Sequence, residues 1–86
     1  MRPVTVYTRS FCPFCTRALA LLRGKGAPVT VIDCAAEPER RDEMIQRAQG
    51  RCTFPQVFIG ETHVGGCDDL HALDRQGGLD PLLAGA

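Results

Sequence analysis

No stretch of this chain approaches the roughly 20 consecutive apolar residues that a membrane-spanning helix needs. The longest apolar run is Ala18 to Leu22, held between Arg17 and Arg23, so no membrane association is expected. Net charge is missing as well: ten basic and ten acidic residues cancel, which removes the electrostatic footprint of a general nucleic-acid binder. Met1 to Tyr7 contain neither an apolar h-region nor a small-residue cleavage site, so nothing there directs export and a cytoplasmic address is expected. Repeats, linkers and low-complexity segments are absent, and 86 residues leave no room for a second core, which predicts one domain over residues 1–86. A structural disulfide framework is not expected either, because five cysteines is an odd number and the expected compartment is a reducing one. Finally, Cys34, Cys52, Cys67, His63 and His71 are scattered without a second C-x-x-C or an H-x₃₋₅-H pair. The four ligands of a zinc site are not assembled, and no metal is expected.

What is present is an ordinary globular balance, 44% hydrophobic and 23% charged, which supports a folded chain. Pro3 to Thr8 alternate and are rich in β-branched residues, predicting a strand with Val4 and Val6 on one face. Cys15, Ala18, Leu19 and Leu22 recur at helical spacing and predict a helix from about Pro13 that Gly24 and Gly26 end. Val29 to Asp33 read as a second strand, parallel to the first through a right-handed crossover. Pro38 and Glu39 suit the first turn of a second helix bearing Met44, Ile45 and Ala48. Gln56 to Ile59, Gly60-Glu61 and Thr62 to Val64 predict a hairpin with Gly leading a type II′ turn. Asp68 or Asp69 is placed to cap a third helix with Leu70 and Leu73, stopped by Gly77-Gly78. The predicted class is α/β, ordered β-α-β-α-β-β-α, with a four-stranded mixed sheet flanked by helices.

Charge is uneven along the chain. Residues 1–51 hold nine basic and five acidic residues, residues 52–86 one and five, so a small anionic partner can still meet a local positive patch.

Cys12-Pro13-Phe14-Cys15 falls where the first strand hands over to the first helix. Unpaired amides and the positive end of the helix dipole favour an anion there, and the thiolate is the reactive form of cysteine. Cys12 is the candidate nucleophile, with hydrogen bonds expected from the amides of Phe14 and Cys15, since Pro13 has none to give. Lowering a thiol from about 8.5 by about three units needs roughly 4 kcal/mol. A helix dipole supplies at most about 2 kcal/mol, so hydrogen bonds and a cation, for which Arg9 is the obvious donor, must provide the rest. Cys15 lies on the buried stripe and is expected to be the less perturbed, resolving thiol. Cys34 and Cys52 are expected to be inert, Cys52 being the one open to oxidative modification. His63 and His71 are read as surface residues without acid–base partners.

Three segments in this order, Thr8-Arg9-Ser10-Phe11-Cys12-Pro13-Phe14-Cys15, Thr53-Phe54-Pro55-Gln56-Val57-Phe58-Ile59-Gly60 and Gly65-Gly66-Cys67-Asp68-Asp69-Leu70, together resemble the glutaredoxins, particularly the short bacterial dithiol type, over nearly the whole chain. The resemblance implies the thioredoxin fold and glutathione as reducing co-substrate. It implies Arg9 near the glutathione carboxylates, a mixed disulfide on Cys12, and Phe14 beside the tripeptide where tyrosine is commoner. Thr53, Phe54 and Pro55 correspond to a Thr-Val-Pro segment in which a cis proline lets the preceding residue pair with glutathione as an added strand. From the residues alone, a trans Pro55 opening a strand is expected instead. The turn at Cys67, Asp68 and Asp69 is implied to hold the γ-glutamyl carboxylate and ammonium, and Arg41 and Arg51 are further candidates for a carboxylate.

The expected activity is glutathione-dependent reduction of protein–glutathione mixed disulfides and protein disulfides through Cys12 and Cys15. Ribonucleotide reductase is a client that the resemblance suggests, and a monomer is expected. Two alternatives share the fold: a redoxin reduced by thioredoxin reductase, and a carrier of a [2Fe–2S] cluster held by Cys12 of two subunits with two glutathiones.

Overall fold

The structure, a computed structural model, describes residues 1–85. The chain runs β1 (Val4–Thr8), α1 (Pro13–Gly24), β2 (Val29–Asp33), α2 (Glu39–Arg47), β3 (Gln56–Ile59), β4 (Thr62–Gly65), α3 (Cys67–Arg75) and α4 (Leu79–Ala84). The sheet order is β2-β1-β3-β4, with β1 and β2 parallel and the other two pairs antiparallel. This is the mixed four-stranded sheet expected, with one addition. The sequence predicts no element after the third helix, whereas a six-residue α4 follows it and places Leu79 and Leu83 in the core. Lys25, just past α1, holds this end of the molecule by pairing with Asp74 of α3 at 2.8 Å and Asp80 of α4 at 3.0 Å.

Strand alternation sorts the core into two layers. Val4, Val6, Val57 and Ile59 face Ala18 and Leu22 of α1, Leu70 of α3 and Leu79 and Leu83 of α4. Tyr7 and Phe58 pack on the other side with Ile32, Cys34, and Met44 and Ala48 at α2. The hairpin turn holds Gly60 at φ 57° while Glu61 stays out of the left-handed region, as a turn led by glycine requires. The third helix begins differently from expectation. Gly66, not an aspartate, occupies the cap position, and Asp69 reaches back from the third helical residue to accept the Gly66 amide at 3.0 Å.

On the α2 face the Tyr7 hydroxyl lies between Glu43, to which it donates, and Arg47, whose guanidinium donates to it at 2.8 Å. Arg40 binds the same Glu43 carboxylate at 3.1 Å. Burial first, and then the bond to Glu43, raise the Tyr7 phenol above its ordinary value, so it stays a donor. No helix among the described residues is long and apolar enough to cross a membrane.

Candidate active site

The site lies at the end of the sheet where β1 delivers the chain to α1. Cys12 is the cap of α1: its sulfur accepts the Cys15 amide at 3.3 Å. Pro13 in the first helical position has no amide to offer, so this is the helix's own donor turned toward the sulfur. Of the two amides expected to reach it, Cys15 does so and no such bond from Phe14 is seen. On its other side Cys12 Sγ is 3.9 Å from the carbonyl oxygen of Phe54. Both cysteines are nearly buried, Cys12 6% and Cys15 3% exposed.

Cys15 is not the unperturbed thiol expected. Burial, and then its hydrogen bond with Cys12, push it up to about 12, against a smaller downward pull from the backbone and charge of Arg9. At neutral pH it therefore keeps its proton.

Beside the cysteines opens a cleft of about 170 Å³ lined by Phe14, Thr53, Phe54, Pro55, Cys67, Asp68 and Asp69, together with Arg51 and Gly66. Residues from three distant segments thus meet on one surface. The Phe54–Pro55 peptide bond is cis, as the resemblance implied and contrary to the trans bond expected from the residues alone. Asp69 is already committed: its carboxylate takes the Gly66 amide and pairs with Arg51 at 3.1 Å, and both hold its pKa below the ordinary carboxylate value. Asp68 is exposed and has no ion-pair partner among the described residues. Gly65, at φ +116°, lets the chain pass so close that an added Cβ would stand 2.4 Å from Asp69 Oδ2 and 2.9 Å from Arg51 Nη1.

Arg9 stands outside this lining. It is exposed, and its guanidinium donates to the Ser10 carbonyl at 3.4 Å. Arg51, named in the sequence reading only as one of two candidates for a carboxylate, is in the cleft, whereas Arg41 is an exposed residue outside it. Cys34 is buried and raised by that burial; Cys52 is exposed but does not line the cleft. Both histidines depart from the surface reading. His63 is half-buried, 2.7 Å from Gln56 Oε1, and His71 lies against Cys67, its Nδ1 2.9 Å from the Cys67 carbonyl oxygen and 3.5 Å from Sγ. Among the described residues no group of three or more His, Cys, Asp or Glu side chains converges as a metal site.

The family model for glutaredoxin matches residues 4–64. A glutaredoxin of Pseudomonas aeruginosa is 55% identical over 84 residues, which cover 98% of this chain and 99% of that one. Among solved structures, a buckwheat glutaredoxin–glutathione complex superposes with a TM-score of 0.85 at 31% identity, covering 96% of this chain and 77% of that one. A structure described as "Metal Binding of Glutaredoxins" superposes with a TM-score of 0.71 at 58% identity, covering 96% and 89%. With the fold, the dithiol helix start and these likenesses in agreement, the chain belongs to the glutaredoxin family and is a glutathione-dependent thiol–disulfide oxidoreductase.

Proposed function

We propose that Cys12 is the nucleophile of a deglutathionylating enzyme and that the adjoining cleft takes the glutathionyl half of the substrate. The observation that carries this reading is the position of the Cys12 sulfur, capping α1 through the Cys15 amide and 3.9 Å from the carbonyl of Phe54, a residue that lines the cleft together with Arg51, Asp68 and the start of α3. A zwitterionic tripeptide with two carboxylates and one ammonium suits that mixture. Arg51 and the amides at the start of α3 offer themselves to carboxylates, and the unpaired Asp68 to the ammonium. Arg9, outside the cleft lining but near enough for its backbone and charge to act on Cys15, is a further cation for a carboxylate. The backbone of Thr53 and Phe54 runs along one wall, where an extended peptide can add as a strand. Phe14 supplies an apolar face without a hydroxyl.

In the first step Cys12 attacks the glutathione sulfur of a protein–glutathione disulfide. A Cys12–glutathione disulfide forms, and the protein leaves as a thiolate that takes a proton. A second glutathione thiolate then attacks the glutathionyl sulfur, releasing Cys12 and oxidised glutathione. In the dithiol route Cys12 attacks a protein disulfide and Cys15 loses its proton to displace the client, leaving a Cys12–Cys15 bridge that two glutathiones reduce. Such carriers work near about −200 to −230 mV, within reach of a cytosolic glutathione pool. We place the enzyme in that compartment, acting as a monomer, with ribonucleotide reductase among its candidate clients.

The test uses Cys15→Ser with a glutathionylated peptide and glutathione, coupled to glutathione reductase and followed by loss of NADPH. Turnover well above the uncatalysed rate is expected, with none in Cys12→Ser. A folded Cys15→Ser variant without turnover would replace this reading with an obligate dithiol carrier, for which thioredoxin reductase is the next electron donor to try. A second reading, a carrier of a [2Fe–2S] cluster shared by two copies, has one observation in its favour, the 58%-identical relative whose structure is described by metal binding. Brown, dimeric protein on anaerobic purification with glutathione would support it.

A further inference from the structure

The segment that forms one wall of the cleft packs Phe54 against the Tyr7 and Phe58 layer of the core but has few hydrogen bonds to fix its backbone. Residues 52–54 lie outside any strand or helix, and among the described residues no backbone-to-backbone hydrogen bond ties them. Apart from the Cys12 sulfur 3.9 Å from the Phe54 carbonyl, the tether comes from the Gln56 side chain. Gln56, fully buried at the start of β3, donates from Nε2 to the Thr53 carbonyl oxygen and to Thr53 Oγ1, each at 3.0 Å. Its Oε1 is 2.7 Å from His63 Nε2 on β4.

This geometry determines the protons. The Thr53 carbonyl can only accept, so the amide nitrogen of Gln56 must face it, and the amide oxygen must face His63. Oxygen there can only accept in turn, so His63 carries its proton on Nε2. The reverse orientation of Gln56 would set two oxygens against each other at 3.0 Å inside the protein, at the cost of a lost hydrogen bond. The His63 ring is itself fixed, stacked on Phe58 with centroids 4.8 Å apart and planes 24° from parallel. The Arg47 guanidinium lies 4.2 Å from the same Phe58 ring. Burial, and then Arg51, lower the His63 pKa, with Asp69 pulling the other way and Arg47 adding to the depression, so the ring is neutral in the working range.

We propose that Gln56 and His63 are positioning residues of the cleft: the Nε2–H of His63 orients the Gln56 amide, whose other end holds Thr53 and the adjoining Phe54 backbone where the glutathionyl group binds. The role rests on the glutathione reading given above. Neither side chain lines the cleft, so both act through Thr53. A neutral histidine that donates and a glutamine that relays the hydrogen bond make one chain from the Phe58 stack to the binding wall.

The experiment is steady-state kinetics with the mixed disulfide of glutathione and 2-hydroxyethanethiol. His63→Phe keeps a ring for the Phe58 stack and removes the donor, whereas His63→Gln puts an amide nitrogen near the place of Nε2. For His63→Phe, KM should rise about tenfold with kcat within about twofold, the loss that one buried hydrogen bond can produce. His63→Gln should return KM to near the parent value, a rescue that a purely structural role would not show. Gln56→Glu, which cannot donate to Thr53 when ionised, should give the same split and serves where His63→Phe does not fold. An unchanged KM in a folded His63→Phe or Gln56→Glu, or a loss that His63→Gln does not rescue, overturns the positioning role and leaves the glutathione reading intact. A parent protein without activity on this disulfide overturns the glutathione reading, and the positioning role with it.

Discussion

The amide of Cys15 donates to the sulfur of Cys12 across 3.3 Å, while the thiol of Cys15 is buried and pushed up to about 12. One cysteine receives the helix's donor and the other retains its own proton. Two thiols three residues apart in sequence thereby sit in different surroundings.

Closure of the Cys12–Cys15 bridge from a Cys12–glutathione disulfide should accelerate about tenfold per pH unit from pH 6.5 to 8.5. Only the Cys15 thiolate attacks, and burial, the larger cause of its raised pKa, persists once Cys12 is capped. Rapid acid quenching at each pH, with the products separated by mass, gives the rate. A flat profile would show that proton loss from Cys15 does not limit closure.

Gly65→Ala should destabilise the fold by about 1–3 kcal/mol, because φ +116° is strained for any L side chain and the new methyl meets Asp69 and Arg51. The same collision should weaken glutathione-disulfide binding, seen as a higher KM. Urea titration and kinetics on one preparation check both. Parent-like values in each would mean that the Asp69–Arg51 pair yields without consequence.

Phe11→Gly should raise stability by up to about 1 kcal/mol. Phe11 sits at φ 54° and is 98% exposed, so its ring gains no burial that would offset the left-handed backbone. Thermal melts of the reduced proteins test this, and a lower midpoint in the variant would point to a contact made by the ring.

Stability should fall as pH drops below about 6.5. The His63 imidazole has its pKa lowered from 6.5, chiefly by burial, so below that value the unfolded chain binds a proton that the folded chain takes up only at lower pH. The loss continues until the folded pKa is passed. Asp69 adds a second loss further down: its folded carboxyl is lowered from 3.8, so the stability it contributes is present above that value and vanishes as pH falls through the folded pKa. Its half-exposed side chain keeps that contribution small. Denaturant midpoints from pH 7.5 to 3 should show both declines, with His63→Gln lacking the upper one.

What could be read in advance follows from how local each signal is. Of the stripe Cys15, Ala18, Leu19 and Leu22, Leu19 is partly buried and the other three are buried as the helical spacing predicts, and Gly60-Glu61 makes the turn between two strands as the alternation predicts. The short α4 escaped because Leu79 to Ala84 span less than two turns and include Pro81, too little for a period to show. Residue preference predicts an aspartate at the cap of α3, yet Asp69 does its work from inside the helix and glycine leaves no side-chain signal at the cap.

The cleft was legible only in part. Phe14, Thr53, Phe54, Pro55, Cys67, Asp68 and Asp69 were singled out through resemblance, and they do share one surface. Arg51 could be only one of two candidates, because an arginine's reach depends on the register of the hairpin it faces. The partnership of Gln56 with His63 was invisible for the same reason: it needs the β3–β4 pairing, with its register shift between Val57 and Phe58, before the two side chains share a face.

The Cys-Pro-Phe-Cys helix start is contained in four consecutive residues, but the cleft beside it draws on segments around 14, 51–55 and 66–69 that only the antiparallel β1–β3 and β3–β4 pairings bring together. On the reading proposed above, reactivity is therefore local and selectivity is topological. During folding, a chain whose first helix has formed before its sheet closes already presents a capped thiol with nothing to choose its partner, since non-local strand pairing is the slow event. If the cleft binds glutathione as proposed, loss of sheet integrity would likewise take away that preference before it takes away the chemistry of sulfur.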